Sequence, residues 1–168
     1  MNTINTIDLA DLIVTKIALA GDVSTHKKVQ KLIYYVDVWH YVHFWKPLIE
    51  ESFEAWVHWP ILPSLYREWK WLWASNIETH KDDLIIQESI VVLQKRIGLS
   101  SDQVNLIDSV LWAYGSMNAM ALEMQTHNED PWIIARWKCG PLQNSTTPID
   151  KEFCRKYYSS LIWKNDAE

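Results

Sequence analysis

The chain is poor in glycine, and that excludes a good deal. Four glycines in 168 residues leave little material for a loop that cradles phosphates, and no GxGxxG, GxxxxGK, GxSxG or HExxH run occurs. Two cysteines, Cys139 and Cys154, make neither a CxxC site nor a disulfide framework, and they point to a reducing compartment. No uncharged run approaches the roughly 18 residues of a membrane span. The start of the chain lacks a cationic opening, and Asp8 and Asp11 interrupt its apolar residues, so it does not read as a signal peptide. A cytoplasmic location with no membrane partner is expected. Net charge is −5, far from the basic footprint of a nucleic-acid binder, so no nucleic acid is expected either. An acidic chain suits a basic protein partner.

What is abundant is aromatic side chain. Eleven Trp and seven Tyr are more than the core of one 168-residue domain obviously needs. Such rings fill cores, yet they also dominate interface hot spots, because each buries much area while its N–H or O–H still seeks a partner. Both readings stay open on composition alone.

Periodicity and caps predict a mainly α, single-domain helical fold over 1–168 with a small antiparallel β element. A first helix spans 7–20 and ends at Gly21-Asp22. Ser24 or Thr25 caps a long second helix over 25–45, apolar on most of its circumference and therefore expected at the centre of the fold. Lys46-Pro47 stops it. In "ESFEAWVHW" Phe53, Ala55 and Val57 alternate with Glu54, Trp56 and His58, the period of a strand, placed at 51–57. A Pro-bounded turn leads to a helix from about Ser64, with Leu65, Trp69, Leu72 and Trp73 on one face. "SNIETH" reads as a short second strand. Asp82-Asp83 caps a helix through Arg96, and Ser100 with Gln103 forms a capping box for a helix to Tyr114 closed by Gly115. Met117, Met120, Ala121 and Met124 give the next helix, 118–127, a stripe that reads as core. Asp130 then serves as an N-cap with Pro131 at the first helical position, for a short helix through Trp137. A last helix runs from Asp150 to about Trp163, with Phe153, Tyr157 and Leu161 inward.

The densest chemical candidate is "DVWHYVHFW", where Asp37, His40 and His43 recur at a spacing of three. Each step of three residues rotates about 60° backward on a helix, which fans the three side chains apart. His40 and His43 also lie on the more apolar stripe, so the stretch reads as a core helix. "HNED", 127–130, could hold a cation, but Asp130 has a role as a cap. A metal-dependent enzyme or regulator using His40, His43 and His127 is the alternative function class.

A resemblance supplies the leading one. "KKVQKLIYYVDVWHYV" (27–42) resembles the KLQKLLYY…WH helix of the Panacea domain family, which includes the SocA-like and phage-associated GepA-like antitoxins. "KPLIEESFEAWVHWPILPSLYREWK" (46–70) is similar to its PLF…IEAW…GPVVP…LY run. "LIDSVLWAYGSMNAMALEMQTHNEDPWIIAR" (106–136) is similar to its YG…L…TH…DPW…A segment, and "TPIDKEFCRKYY" to its closing one. The matching positions are Lys28, Gln30, Lys31, Tyr34, Tyr35, Trp39 and His40; Glu54, Ala55, Trp56, Pro60, Pro63 and Tyr66; and Tyr114, Gly115, Thr126, His127, Asp130, Pro131 and Trp132. Two departures stand out. Trp59 replaces the usual Gly of the turn, and the span 77–99 offers no matching block.

The resemblance implies a helical domain with a small β element and the role of an antitoxin. It implies no enzymatic activity and no cofactor. The partner it implies is a cognate protein toxin, encoded by a neighbouring gene and neutralised by direct contact or, in the manner of SocA, delivered to a protease. Physically the matching positions suit scaffold, with Glu54 expected to pair with Lys28 or Lys31. Contact with the partner falls to the surplus aromatics Trp45, Trp59, Trp71 and Trp137. Trp59, beside a chain reversal, is expected to be more exposed than Trp39 or Trp56; the competing expectation makes it a lid over the core.

Overall fold

Short polar side chains at helix starts set the boundaries along most of the chain. The computed structural model describes residues 4–72 and 75–165. Helix α1, Thr6–Leu19, begins at Asn5, whose side chain accepts from the Ile7 and Asp8 amides. It ends where Gly21 turns left-handed, at φ 78°. Helix α2, His26–Phe44, starts at Thr25, whose hydroxyl accepts from the Lys28 amide at 3.3 Å. Its stop comes before Lys46-Pro47, at Trp45, which adopts φ 54°. Helices usually reserve that left-handed position for Gly, which has no Cβ to clash.

Helix α2 is the axis of the fold. Val29, Leu32, Ile33 and Val36 have no exposed surface, and α1, α5, α6 and α8 all pack against this one helix. The remaining elements are placed around it. Strand β1, Glu54–Ala55, and strand β2, Pro60–Ile61, pair antiparallel in the register Glu54 to Ile61 and Ala55 to Pro60. The strand expected at 51–57 is thus only two residues long. Its alternation holds at Phe53 and Ala55, which are buried, but Val57 already belongs to the bend at the hairpin tip and is half-exposed. The outer edge of β1 is covered by the C-terminal loop: Ala55 donates to Thr147 at 2.9 Å and Ile149 donates to Phe53 at 2.7 Å. "SNIETH" forms no strand; its one bridge joins Asn76 to Thr25.

Helix α3, Pro63–Trp69, has Pro in its first turn, runs into a 3-10 turn at Lys70–Leu72 and buries Leu65 and Trp69. Trp73, expected on the same face, lies outside the described residues. Helix α4, Asp83–Ile97, is capped by Asp82 and closed by Gly98 at φ 75°; it lies along α1. Helix α5, Ser101–Tyr114, starts with the expected capping box of Ser100 and Gln103 and lies along α2. Helix α6, Ala119–His127, is capped by Asn118. Its expected Met stripe turns outward, with Met120 and Met124 exposed.

Helix α7, Asp130–Ala135, is capped by the backbone of Glu129, one residue before the expected Asp130, and stops short of Trp137. Helix α8, Lys151–Asn165, begins where Asp150 accepts from the Phe153 amide at 2.8 Å. Among its described side chains, Cys154 and Tyr158 are buried. Phe153, Tyr157 and Leu161, expected inward, are only half-buried, because docking on α2 turns the helix about one residue further round. Among the described residues, eight α-helices and one two-stranded sheet make the fold mainly α. No helix among them is long and apolar enough to cross a membrane.

Candidate interaction surface

The side chains of "DVWHYVHFW" part company, as the fan of i, i+3 steps requires. Asp37 is buried, and its Oδ1 accepts from the Leu48 and Ile49 amides at 2.7 and 2.8 Å. Its Oδ2 pairs with Lys151 Nζ at 2.9 Å, and Lys151 also donates to the Ile49 carbonyl. His40 is buried; its Nδ1 donates to the Lys46 carbonyl at 2.7 Å and its Nε2 accepts from the Gln103 amide at 2.9 Å. Burial lowers its pKa, opposed by the Lys46 carbonyl. His43, expected with it on the apolar stripe, is exposed. Asp37 and His40 together hold down the turn that follows α2, at residues 46–49.

His127 lies elsewhere. Its ring stacks on Trp132 with centroids 3.9 Å apart, and burial lowers its pKa. The three histidines of the alternative reading therefore do not meet. Among the described residues no three His, Cys, Asp or Glu side chains form a group that could hold a metal ion.

The other matching positions are also tied inside. Lys28 pairs with Asp22 at 2.8 Å, and Lys31 with Glu123 at 3.6 Å. Burial lowers the pKa of Lys31 to about 8, partly opposed by Glu123. Gln30 accepts from the Leu62 amide at 2.9 Å, which fixes the exit of the hairpin on α2. Tyr34 contacts Cys154, whose thiol burial pushes up to about 12 and so leaves protonated and inert. Trp39 donates to the Tyr114 hydroxyl at 3.3 Å, and Tyr114 stacks on Tyr35. The rings of Trp56 and Tyr66 meet edge-on at 4.8 Å. Trp132 donates to the Trp56 carbonyl at 3.1 Å, and Thr126 back-bonds to the Glu123 carbonyl.

Glu54 takes neither lysine. Its Oε2 accepts from the Trp56 indole at 2.7 Å, while Lys28 and Lys31 pair with Asp22 and Glu123. Trp59 is also not where the chain reversal suggested. It is 8% exposed, more buried than Trp39 or Trp56. The ammonium groups of Lys27 and Lys31, one helical turn apart, lie over its ring at 5.0 and 4.5 Å. Two cations over the indole hold it against α2.

The remaining three aromatics do face solvent: Trp45, Trp71 and Trp137 are 72%, 75% and 73% exposed. Trp45 is the most firmly placed. Arg155 lies over its ring at 4.1 Å and forks onto Glu152 at 2.6 and 3.0 Å, while Glu152 also accepts from the Tyr41 hydroxyl. Those bonds, Arg155 first, hold the Glu152 carboxyl down to about 2. An outward Trp backed by a half-buried Tyr and Arg brings together the residue types of interface anchors.

A family model described as "Antitoxin SocA-like, Panacea domain" matches residues 29–133. The chain belongs to that family. No curated protein and no solved structure matches it. The Panacea match runs from α2 to α7 and includes α4, where no motif stands out in the sequence.

Three residues of this Panacea chain escaped sequence reasoning. Glu129 is buried and accepts from the Tyr35 and Tyr158 hydroxyls at 3.1 and 2.5 Å, and burial raises its pKa. Arg136, also buried, donates to the Ala55 and Gln143 carbonyls, each at 2.7 Å. Both act across long stretches of chain, and no local pattern marks them. Trp112 is different: it is 89% exposed. A helical wheel puts it about 140° from Ile107 and about 200° from Val110, so its outward direction was available from the sequence.

Proposed function

We propose that this Panacea domain is a non-catalytic antitoxin that neutralises a protein toxin, encoded by a neighbouring gene, through direct protein–protein binding. The observation that carries the reading is membership of an antitoxin family across α2 to α7. Two features support it. The polar residues that could have formed a catalytic or metal centre are spent on holding the scaffold. The surface carries large exposed aromatics, among them Trp45, Trp71, Trp112 and Trp137, of the kind that anchor interfaces.

The test is genetic and then biochemical. The adjacent open reading frame, expressed alone, is expected to arrest growth, and co-expression of this chain to restore it. The two purified proteins should then form a stoichiometric complex that needs no ATP, protease or metal. Rescue that depends on a cellular protease would replace direct neutralisation with delivery for degradation. No arrest by any adjacent reading frame would overturn the antitoxin reading.

A further inference from the structure

Helices α4 and α5 are joined by three residues, 98–100, yet they do not pack along each other. Helix α4 rests on α1 and α5 rests on α2, so the two arms of this hairpin stand apart over the end of α1. Between them lies a groove of about 820 Å³. Its floor is Ile17, Leu19 and Leu111, and its walls are Ile90, Val91 and Trp112. A second hollow of about 580 Å³ continues toward the 98–100 turn, and Val91 lines both. The gap therefore runs along most of α5, about 20 Å at 1.5 Å per residue. That is the length of one more helix of about 13 residues.

Gly115 closes α5 at the open end of the groove, where a Cβ would come 2.3 Å from the Leu111 carbonyl oxygen and disturb the last turn of α5, and 3.0 Å from Ile17 Cδ1.

Charge differs between the two ends of the groove: Asp22 and Asp108 line the open end, and Lys95 lines the hollow toward the 98–100 turn. Asp108 pairs with Lys16 and Asp22 with Lys28. In both pairs the lysine is the buried member and the carboxylate faces solvent. What an approaching partner meets is an apolar lining at the open end beside two outward carboxylates, and a more polar lining of Gln94, Lys95, Ser101 and Asn105 toward the turn. Grooves of this kind bind the apolar face of an amphipathic helix, with anchors at i, i+3, i+4 and i+7.

We propose that the α4–α5 groove is the docking site for an amphipathic helix of the toxin, one with an apolar stripe and a lysine or arginine placed to meet Asp22 and Asp108. This rests on the antitoxin reading. Val91 and Trp112 are its anchors on this side, and the partner helix completes a layer of three helices, α4, partner and α5.

Two 18-residue synthetic helices test the site on the full chain without the toxin. They share a Leu stripe at i, i+3, i+4 and i+7 and carry Lys in one case, Glu in the other, at the polar positions. The Lys peptide should bind at least tenfold tighter and shift the methyl resonances of Ile90 and Val91. Val91→Asp should weaken it tenfold or more at unchanged Tm. That variant adds negative charge, so a peptide held only by overall charge would bind it as well or better, and that result overturns the proposal. A free chain that sediments as a dimer, and as a monomer once Val91 is Asp, would give the groove to a second copy and also overturn it. Growth rescue that survives Val91→Asp removes the groove from the interface and leaves the antitoxin reading intact. Absence of rescue by the unaltered chain would instead strike at that reading.

Discussion

Helix α2 holds Lys28, Lys31 and Asp37 inside the protein, whereas α4 leaves Leu84, Ile85, Val91 and Val92 in solvent. The two helices invert the usual placement in opposite directions, and for different reasons. Each buried charge on α2 has a partner brought from elsewhere in the chain: Asp22, Glu123 and Lys151. A buried charge is costly unless it is paired, so each of these positions constrains a second one; Lys31, 3.6 Å from Glu123 and without a hydrogen bond, is the least well satisfied. Helix α4 is held through Ile86, Ile90 and Leu93, with Ile97 packed beside the core and Arg96 paired with Asp8, while Leu84, Val91 and Val92 on its other side are left to solvent. One helix is specified by what it holds together; the other is free to be specified by what it meets.

Four measurements would break or sharpen that contrast. Asp37→Ala is expected to have the largest effect, because it strands the Lys151 ammonium and the Leu48 and Ile49 amides. Removing one member of a buried pair costs roughly 3–5 kcal/mol; urea unfolding should find the variant unfolded or nearly so. A loss below about 1 kcal/mol would mean that the buried charges of α2 do not hold the fold.

Lys31 gives the next effect. Its pKa falls from 10.5 to about 8 on folding, chiefly because burial disfavours the ammonium. Between those two pH values the unfolded chain binds a proton that the folded chain has released, so stability rises with pH in that window and the gain is lost as pH falls through 8. Relative to Lys31→Met, the chain should gain roughly 3 kcal/mol across it; parallel stability curves would refute this. His40→Ala, which frees the Gln103 amide and the Lys46 carbonyl, should cost roughly 1–3 kcal/mol. Differential scanning calorimetry at pH 7 measures it. The smallest effects belong to α4: Leu84→Gln and Val92→Lys should each change stability by no more than about 0.5 kcal/mol.

The sequence was legible where structure is local. Thr25, Asp82, Ser100 with Gln103 and Asp150 all cap helices as read, because a cap is decided within four residues. Partners at long range were not legible. Nothing near Glu129 names Tyr35 or Tyr158, and nothing near Glu54 says that both candidate lysines are taken. The burial of Trp59 required Lys27 and Lys31 to sit over it, an arrangement set by how the hairpin lies on α2. The groove was invisible for the same reason, since it is formed by two helices that do not pack along each other. Exposed Trp45, Trp71 and Trp137 were anticipated from a surplus of aromatics, which composition does reveal.

Arg136 has a consequence for how the polypeptide tolerates being cut. Through Ala55 and Gln143 it anchors the loop between α7 and α8, and the Thr147 and Ile149 backbones lock the same loop to β1. Beyond it, Lys151 and Tyr158 bind Asp37 and Glu129. Leu142, at the outer bend, is fully presented to proteases. A nick there severs only a connection that the surrounding bonds already duplicate. The pieces on either side are expected to remain together on a sizing column, and, made separately, to reassemble into one particle.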